Sequence, residues 1–249
     1  EKGWVEDFFQ ALERNQDWLH TIPLGDYARS FPPLGRVYLP TASYDEMTEW
    51  ALPAQQSGDL ARLKHQLADE HREDILRFVK GAFWRNFLIK YPEVNALHKK
   101  MLLVSNKIQV AQEKTFGRKE LPRGRGASGQ GRESRIRNPK GTFSPQSLNR
   151  LISESLNHLY ASQCNCPYWH GVFGGIYLPH IRHANYAHLI QAETLADQIA
   201  RGTRAWVDWE LRDYDKDSRA ELLVSGSAMN LYFDLARGGA ITEWDWRAK

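Results

Sequence analysis

The sequence predicts a mainly α chain that gives way to β-structure near its C-terminal end. Two patterns carry this. Between Ser57 and Ile199 apolar residues recur at steps of three and four, the spacing of one buried helix face. From Thr203 onward the period becomes two, with turn residues between the runs. A third feature divides the helical part. Residues 117–142 are rich in Gly and basic residues, with eight Lys or Arg against two Glu between Gly117 and Lys140. Such a stretch has almost nothing to bury and is expected to be a mobile insertion.

The elements follow in order. Glu1 to Asn15 reads as a helix with Trp4, Val5, Phe8, Phe9 and Leu12 on one side. Asp26 to Ser30 reads as a short helix stopped by Phe31-Pro32-Pro33. Gly35 to Pro40 reads as a short apolar strand, and Ser43 as the N-cap of a helix through Trp50. Ser57 to Lys80 has helical spacing, and Gly81 is the expected break. Val94, Leu97, Met101, Val104 and Ile108 form the packing stripe of the next helix.

Order resumes at Ser144-Pro145, a good N-cap followed by a good first helical residue. Leu148, Leu151, Ile152, Leu156 and Leu159 are its buried stripe. His183 to Ile199 is another helix, ending near Arg201-Gly202. Val207, Trp209 and Leu211 then alternate with Trp206, Asp208 and Glu210. A turn at 213–218 leads to further strands at 220–224, 231–233 and 241–246.

With 249 residues the chain can build one large domain or two smaller ones with ample core. No run is long or apolar enough to span a membrane. Cys164 and Cys166 are too close for an easy structural disulfide, which favours a reducing compartment such as the cytoplasm. The chain opens Glu1-Lys2-Gly3-Trp4, without Met and inside an amphipathic pattern. It therefore reads as an internal piece of a longer protein, from which any targeting segment would be missing. No feature specifies an oligomeric state.

The informative stretch is residues 162–182. Trp169 and His170 are adjacent, preceded by Pro167 and Tyr168 and followed by Gly171, Gly174 and Gly175. This combination suits a shaped backbone that presents flat, hydrogen-bonding side chains to a ligand. Sugars are held by such sets, with a ring under the C–H face and polar tips on the hydroxyls. The competing reading is a tight connector whose Trp and Tyr are simply buried.

The run from Gln163 to Arg182, with its Tyr168-Trp169-His170-Gly171 and Gly174-Gly175-Ile176-Tyr177-Leu178-Pro179-His180, resembles the fifth conserved region of glycoside hydrolase family 57. It is similar to the branch of 4-α-glucanotransferases and α-amylase-like enzymes. Gly35–Pro53 and Phe83–Ser105 resemble the same branch. The resemblance implies three parts. Residues 1–55 would be the tail of a (β/α) catalytic barrel. Residues 56–202 would be a helical bundle middle domain carrying the 117–142 insertion and the substrate-site loop 162–182. Residues 203–249 would begin a C-terminal β-sandwich.

The resemblance also implies a retaining enzyme acting on α-1,4-glucans and maltooligosaccharides, by transfer or hydrolysis. Its nucleophile Glu and general-acid Asp would precede Glu1, so no residue here is given a catalytic role. The substrate-binding candidates are Trp169 as a stacking platform, His170 as a hydroxyl or carboxylate contact, then Tyr168 and Asn165. Cys166 occupies a position where the archaeal relatives carry Asp. A thiol does not replace a carboxylate acceptor at neutral pH unless its pKa falls strongly, so any acidic role there is in doubt. The alternative function is a non-catalytic module that binds glucan or a protein.

Other chemistries fit poorly. Cys164, Cys166 and His170 have the wrong spacing and number for a structural zinc site. Cys166 beside Pro167 reads as packing rather than as a nucleophile. Asp213, Asp215 and Asp217 resemble a calcium loop but lack its Gly and its closing Glu, and a hairpin turn explains them better. Asp45, Glu46 and Glu49 sit at a helix start, where carboxylates suit the dipole. The basic tract lacks the interleaved aromatics of a nucleic-acid site and reads as a solvated loop. No phosphate loop is present. No cofactor or metal is expected.

Overall fold

A computed structural model describes residues 2–39, 42–116 and 143–247. The basic tract at 117–142 lies outside the described residues. The chain divides into two compact units, Glu1–Thr41 and Ala42–Lys249.

In the first unit, α1 spans Lys2–Arg14 and α2 spans Leu24–Ser30. Trp4 and Phe8, four residues apart, stack at 5.6 Å on the exposed surface of α1. Phe31 takes an extended conformation and ends α2 before the two prolines, as expected. The strand expected at 35–40 does not form over Gly35–Leu39. Val37, Tyr38 and Leu39 stay exposed, and no ladder partner exists for them among the described residues. An apolar run without a partner cannot satisfy its own backbone as a strand.

The second unit opens with α3, Asp45–Trp50, and α4, Ala54–Asp69. Ser43 does not cap α3. Its hydroxyl instead accepts the backbone N–H of Trp84 at 3.0 Å, which ties the two segments together. The α4 pattern stops well before Gly81. His71 adopts φ 53°, Arg72 N–H reaches Leu67 O at 2.8 Å, and His71 N–H reaches Ala68 O at 3.0 Å. That is a Schellman end, built on His rather than Gly. The short α5, Glu73–Leu76, follows. Gly81 is instead a point of close approach. A Cβ there would lie 2.4 Å from Thr48 O, so the segment passes α3 backbone to backbone.

After α6, Asn86–Lys90, come the helices of the core: α7, Pro92–Phe116; α8, Pro145–Ala161; and α9, Pro179–Arg201. Val94, Leu97, Val104 and Ile108 of α7 are buried with Leu159 of α8 and Leu189, Ala192 and Ala196 of α9. Fully burying each of the Val, Leu and Ile side chains stabilises by about 1.5–3 kcal/mol. Ser144 caps α8 as expected, accepting Ser147 N–H at 3.1 Å with Pro145 at the first position. α9 starts at Pro179 rather than at His183, because Pro is as well suited to its first turn. No helix among the described residues is long and apolar enough to cross a membrane.

The chain then forms an antiparallel sheet in the order β1-β2-β3-β4: Val207–Arg212, Glu221–Gly226, Met229–Asp234 and Ala240–Trp246. Its register puts Trp209, Val224, Leu231 and Trp244 in one row and Leu211, Leu222, Phe233 and Ile241 in the next. This apolar face is the open one, with Trp209 65% and Trp244 67% exposed. The face turned to the helices is mostly polar, which inverts the usual one-sided sheet.

That inner face is held by charge. Lys100 of α7 is fully buried and reaches Glu243 and Asp245 of β4, and it lies 3.6 Å from Glu193 of α9. Arg247 binds Asp197 at 2.8 Å and Glu193 at 3.1 Å, and Lys107 binds Asp197 at 3.2 Å. Asn230 donates to both Glu193 and Asp245. Beside this network Leu103 of α7 packs with Tyr214, Leu223 and Tyr232. Burial alone would push Lys100 down, but the four surrounding groups, Glu243 foremost, hold its pKa well above the ordinary value.

Candidate functional site

The 162–182 loop leaves α8 and makes two short 3-10 turns, Cys166–Tyr168 and Gly175–Tyr177, before α9 begins. Between them the backbone closes on itself: Ile176 N–H donates to Trp169 O at 2.9 Å, and Gly174 N–H to Gly171 O at 3.0 Å. The glycines are structural necessities. Gly175 has φ 49°, and a Cβ there would stand 2.2 Å from Trp169 O. A Cβ on Gly171 would meet the Trp50 ring at 2.5 Å. The proline- and glycine-bracketed bend is therefore a rigid, closely packed turn.

The structure separates the predicted contacts. Trp169 is only 6% exposed, and its indole lies flat on that of Trp50 at 5.6 Å and 3°. The face toward Trp50 is thus closed to a sugar. Its Nε1–H is buried without a hydrogen-bond partner among the described residues. Tyr168 is buried as well; its hydroxyl donates to Ser162 O at 2.8 Å, and burial raises its pKa. Cys166 is partly buried and Cys164 exposed, both as free thiols. Asn165 is exposed.

His170 is the half-buried member. Its ring sits edge-on between Tyr91 at 5.3 Å and Tyr177 at 4.9 Å. Nδ1 lies 2.9 Å from Gly174 O. A carbonyl only accepts, so Nδ1 carries the proton, and in the neutral ring Nε2 is left as an acceptor. Tyr177 is 45% exposed, and Phe173 and Val172 are exposed at the loop tip. Burial, together with the nearby Glu93 and Tyr91, raises the Tyr177 pKa. The sequence reading does not single out Tyr91 or Tyr177. The one signal it holds for them is the place of Tyr177 inside the loop.

The acidic residues weighed as alternatives serve the fold. Lys64 binds Asp45 at 2.7 Å and Glu49 at 2.8 Å, clamping α3 to α4. Asp213, Asp215 and Glu221 bring carboxylate oxygens within 4.8 Å of one another at the β1–β2 turn. Glu221 accepts Tyr214 N–H, and Asp215 accepts Asp217 N–H, as hairpin-turn acceptors do. Burial and carboxylate repulsion raise the pKa of both.

Comparison with known proteins agrees with this architecture. Residues 82–124 and 142–196 match the family "Alpha-amylase/4-alpha-glucanotransferase, middle domain". The whole chain is 34% identical to Alpha-amylase 1 of Dictyoglomus thermophilum and covers 30% of it. It is 33% identical to the 4-alpha-glucanotransferase of Thermococcus kodakarensis over 250 residues, again 30% of that protein. The crystal structure of 4-alpha-glucanotransferase from Thermococcus litoralis superposes with a TM-score of 0.60 at 32% identity, over 99% of this chain and 31% of that one.

The fold over nearly the whole chain is thus shared with part of a 4-alpha-glucanotransferase. The chain is similar over its whole length to part of enzymes named alpha-amylase and 4-alpha-glucanotransferase, and residues 82–124 and 142–196 match the middle domain of such enzymes. It spans about 30% of the length of the curated relatives it matches.

Proposed function

We propose that this chain is part of a retaining enzyme acting on α-1,4-glucans, and that loop 162–182 contributes one wall of its substrate site. The observation that carries the reading is His170. Its ring is fixed by two tyrosines and a committed Nδ1–H, so a sugar hydroxyl donating to Nε2 would meet an already ordered ring. Trp169, His170, Tyr168, Asn165 and Cys166 remain the substrate-binding set. Within it Trp169 shapes the loop by stacking on Trp50 rather than by meeting the sugar directly.

Retaining chemistry needs two carboxyl groups about 5–5.5 Å apart. Asp45 and Glu49 are engaged by Lys64, and the 213–221 cluster is engaged by its turn. In this reading the catalytic pair belongs to sequence outside the chain, and this part supplies binding energy that orients the reacting sugar. Homology to enzymes named amylase and 4-alpha-glucanotransferase supports the substrate class.

The same reading makes residues 1–55 the tail of a catalytic barrel, 56–202 the helical middle domain and 203–249 the first sheet of a β-sandwich in a cytoplasmic protein. The open apolar face bearing Trp209, Trp244 and Trp246 supports the last of these, since a packed second sheet would cover it. The test is titration of the chain with maltooligosaccharides, read by Trp fluorescence, alongside an activity assay. Saturable binding without glucan release or transfer is expected. Turnover by this chain alone would contradict the placement of the catalytic pair.

A further inference from the structure

Beside the loop, on the side of Tyr168, lies a hollow of about 250 Å³ lined by Trp84, His98, Met101, Gln163, Asn165 and Tyr168. These residues come from three places: the segment before α6, one face of α7, and the exit of α8. Trp84 is locked in position, donating Nε1–H to Tyr168 O at 2.9 Å and its backbone N–H to Ser43. His98 meets Trp84 edge to face at 5.3 Å and Tyr168 at 6.5 Å. The walls are therefore rings held by other contacts rather than by filling the hollow.

The rim is polar and uncommitted. Gln163 has only a long contact from its amide nitrogen to the Met101 sulfur, at 3.8 Å, and a thioether is a weak acceptor. The Asn165 amide makes no side-chain hydrogen bond among the described residues and is exposed. No carboxylate or ammonium lines the space. Burial first, then Lys99 and Arg85, lowers the His98 pKa, so its imidazole is neutral at pH 7. His98 Nδ1 has no hydrogen-bond partner among the described residues. The volume falls below the roughly 300–1,000 Å³ of drug-sized sites. It suits a single small ring that is uncharged, amphipathic and hydroxylated at its edge.

We propose that this hollow is a second saccharide site, which takes one glucosyl residue of an α-1,4-glucan against the rings of Trp84 and Tyr168 and binds its hydroxyls through the Gln163 and Asn165 amides. The ligand class rests on the glucan reading given above; the location rests on the hollow itself. Asn165 and Tyr168 thereby act here rather than beside His170.

The experiment is an NMR titration of the chain with maltotriose, following the Trp84 indole, the Gln163 and Asn165 side-chain amides, the Trp169 indole and the His170 imidazole. The Trp84, Gln163 and Asn165 signals are expected to move together and saturate. In the double variant Gln163→Ala, Asn165→Ala, both exposed positions, the Trp84 response weakens at least tenfold while the Trp50 and Trp169 indole signals keep their positions in the absence of sugar. If the hollow's signals stay still while those of His170 move, the second site is wrong and the wall reading stands. If no signal moves, both are wrong. An undiminished response in the double variant also overturns the second site.

Discussion

The indole rings of Trp50 and Trp169 stack at 5.6 Å, within 3° of parallel, and Gly171 is the residue whose missing Cβ leaves room for them. A methyl group at 171 would stand 2.5 Å from one Trp50 carbon and 2.9 Å from Trp169. Gly171→Ala should therefore destabilise the second unit by about 1–3 kcal/mol through overpacking. Urea unfolding measures this, and the near-ultraviolet dichroism of the indole pair should change with it. Gly175→Ala should cost more, because the obstacle is the backbone oxygen of Trp169 and the residue sits at positive φ.

Lys100 is the buried cation that joins α7 to β4. Lys100→Met takes the paired positive charge from Glu243 and Asp245 and one of the three positive charges around Glu193. The expected loss is about 3–5 kcal/mol, the scale for breaking a buried pair on one side only. Hydrogen exchange should show the sheet losing protection before the α8–α9 pair does.

The same cluster should titrate. Lys100, Lys107 and Arg247 face Glu193, Asp197, Glu243 and Asp245, one carboxylate in excess. Burial, opposed by Lys100 and aided by Asp245, pushes Glu243 up to about 7. A carboxyl raised in the folded state contributes stability that is full below its unfolded pKa and is lost as pH rises through the folded one. Glu243→Gln imitates the protonated form. Relative to the parent chain it should therefore gain stability between pH 5 and pH 8, by at most about 3 kcal/mol. Glu193 has the opposite sign: burial is outweighed by Lys107, Lys100 and Arg247, which lower it. Its contribution is present above the unfolded pKa and lost as pH falls through the folded one.

His158 and His188 meet across α8 and α9 with their Nδ1 atoms 2.8 Å apart. One proton can bridge them, but two cannot. Burial and then His188 lower the His158 pKa. A His depressed on folding contributes stability above its unfolded pKa, near 6.5, and loses it as pH falls through the folded value. His188→Gln should flatten the fall in stability between pH 7 and pH 5, as followed by thermal melts at each pH.

Much of the helical architecture was legible because its signals are local. Ser144-Pro145 announced α8, and the stripes of α7 and α8 named residues that are in the core. The failures share a cause: the deciding partner is distant in sequence. Gly35–Leu39 has strand composition but no strand to pair with among the described residues. Ser43 has the right chemistry for a cap, yet Trp84 N–H claims it. The end of α4 is written in the φ of His71, a residue without glycine's signal. The sheet's alternation was plain, but its direction was not. Charged residues face inward only because Lys100, Lys107 and Arg247 meet them there.

The site was half visible. The bend and its glycines could be read from the loop itself. That Trp169 would lie against Trp50, leaving His170 half-buried between its two tyrosines, depends on α3 and on the segment leading into α7. Trp84, His98 and Met101 fell within stretches that gave only a packing pattern, so the hollow they line had no sequence signature.

The most direct test of the account is the affinity of the chain for maltooligosaccharides with and without the His170 ring. Trp fluorescence or calorimetry should give saturable binding that weakens at least tenfold in His170→Ala, a variant whose unfolding midpoint can be compared with that of the parent. No binding by the parent chain, or equal binding by a folded His170→Ala variant, would contradict it.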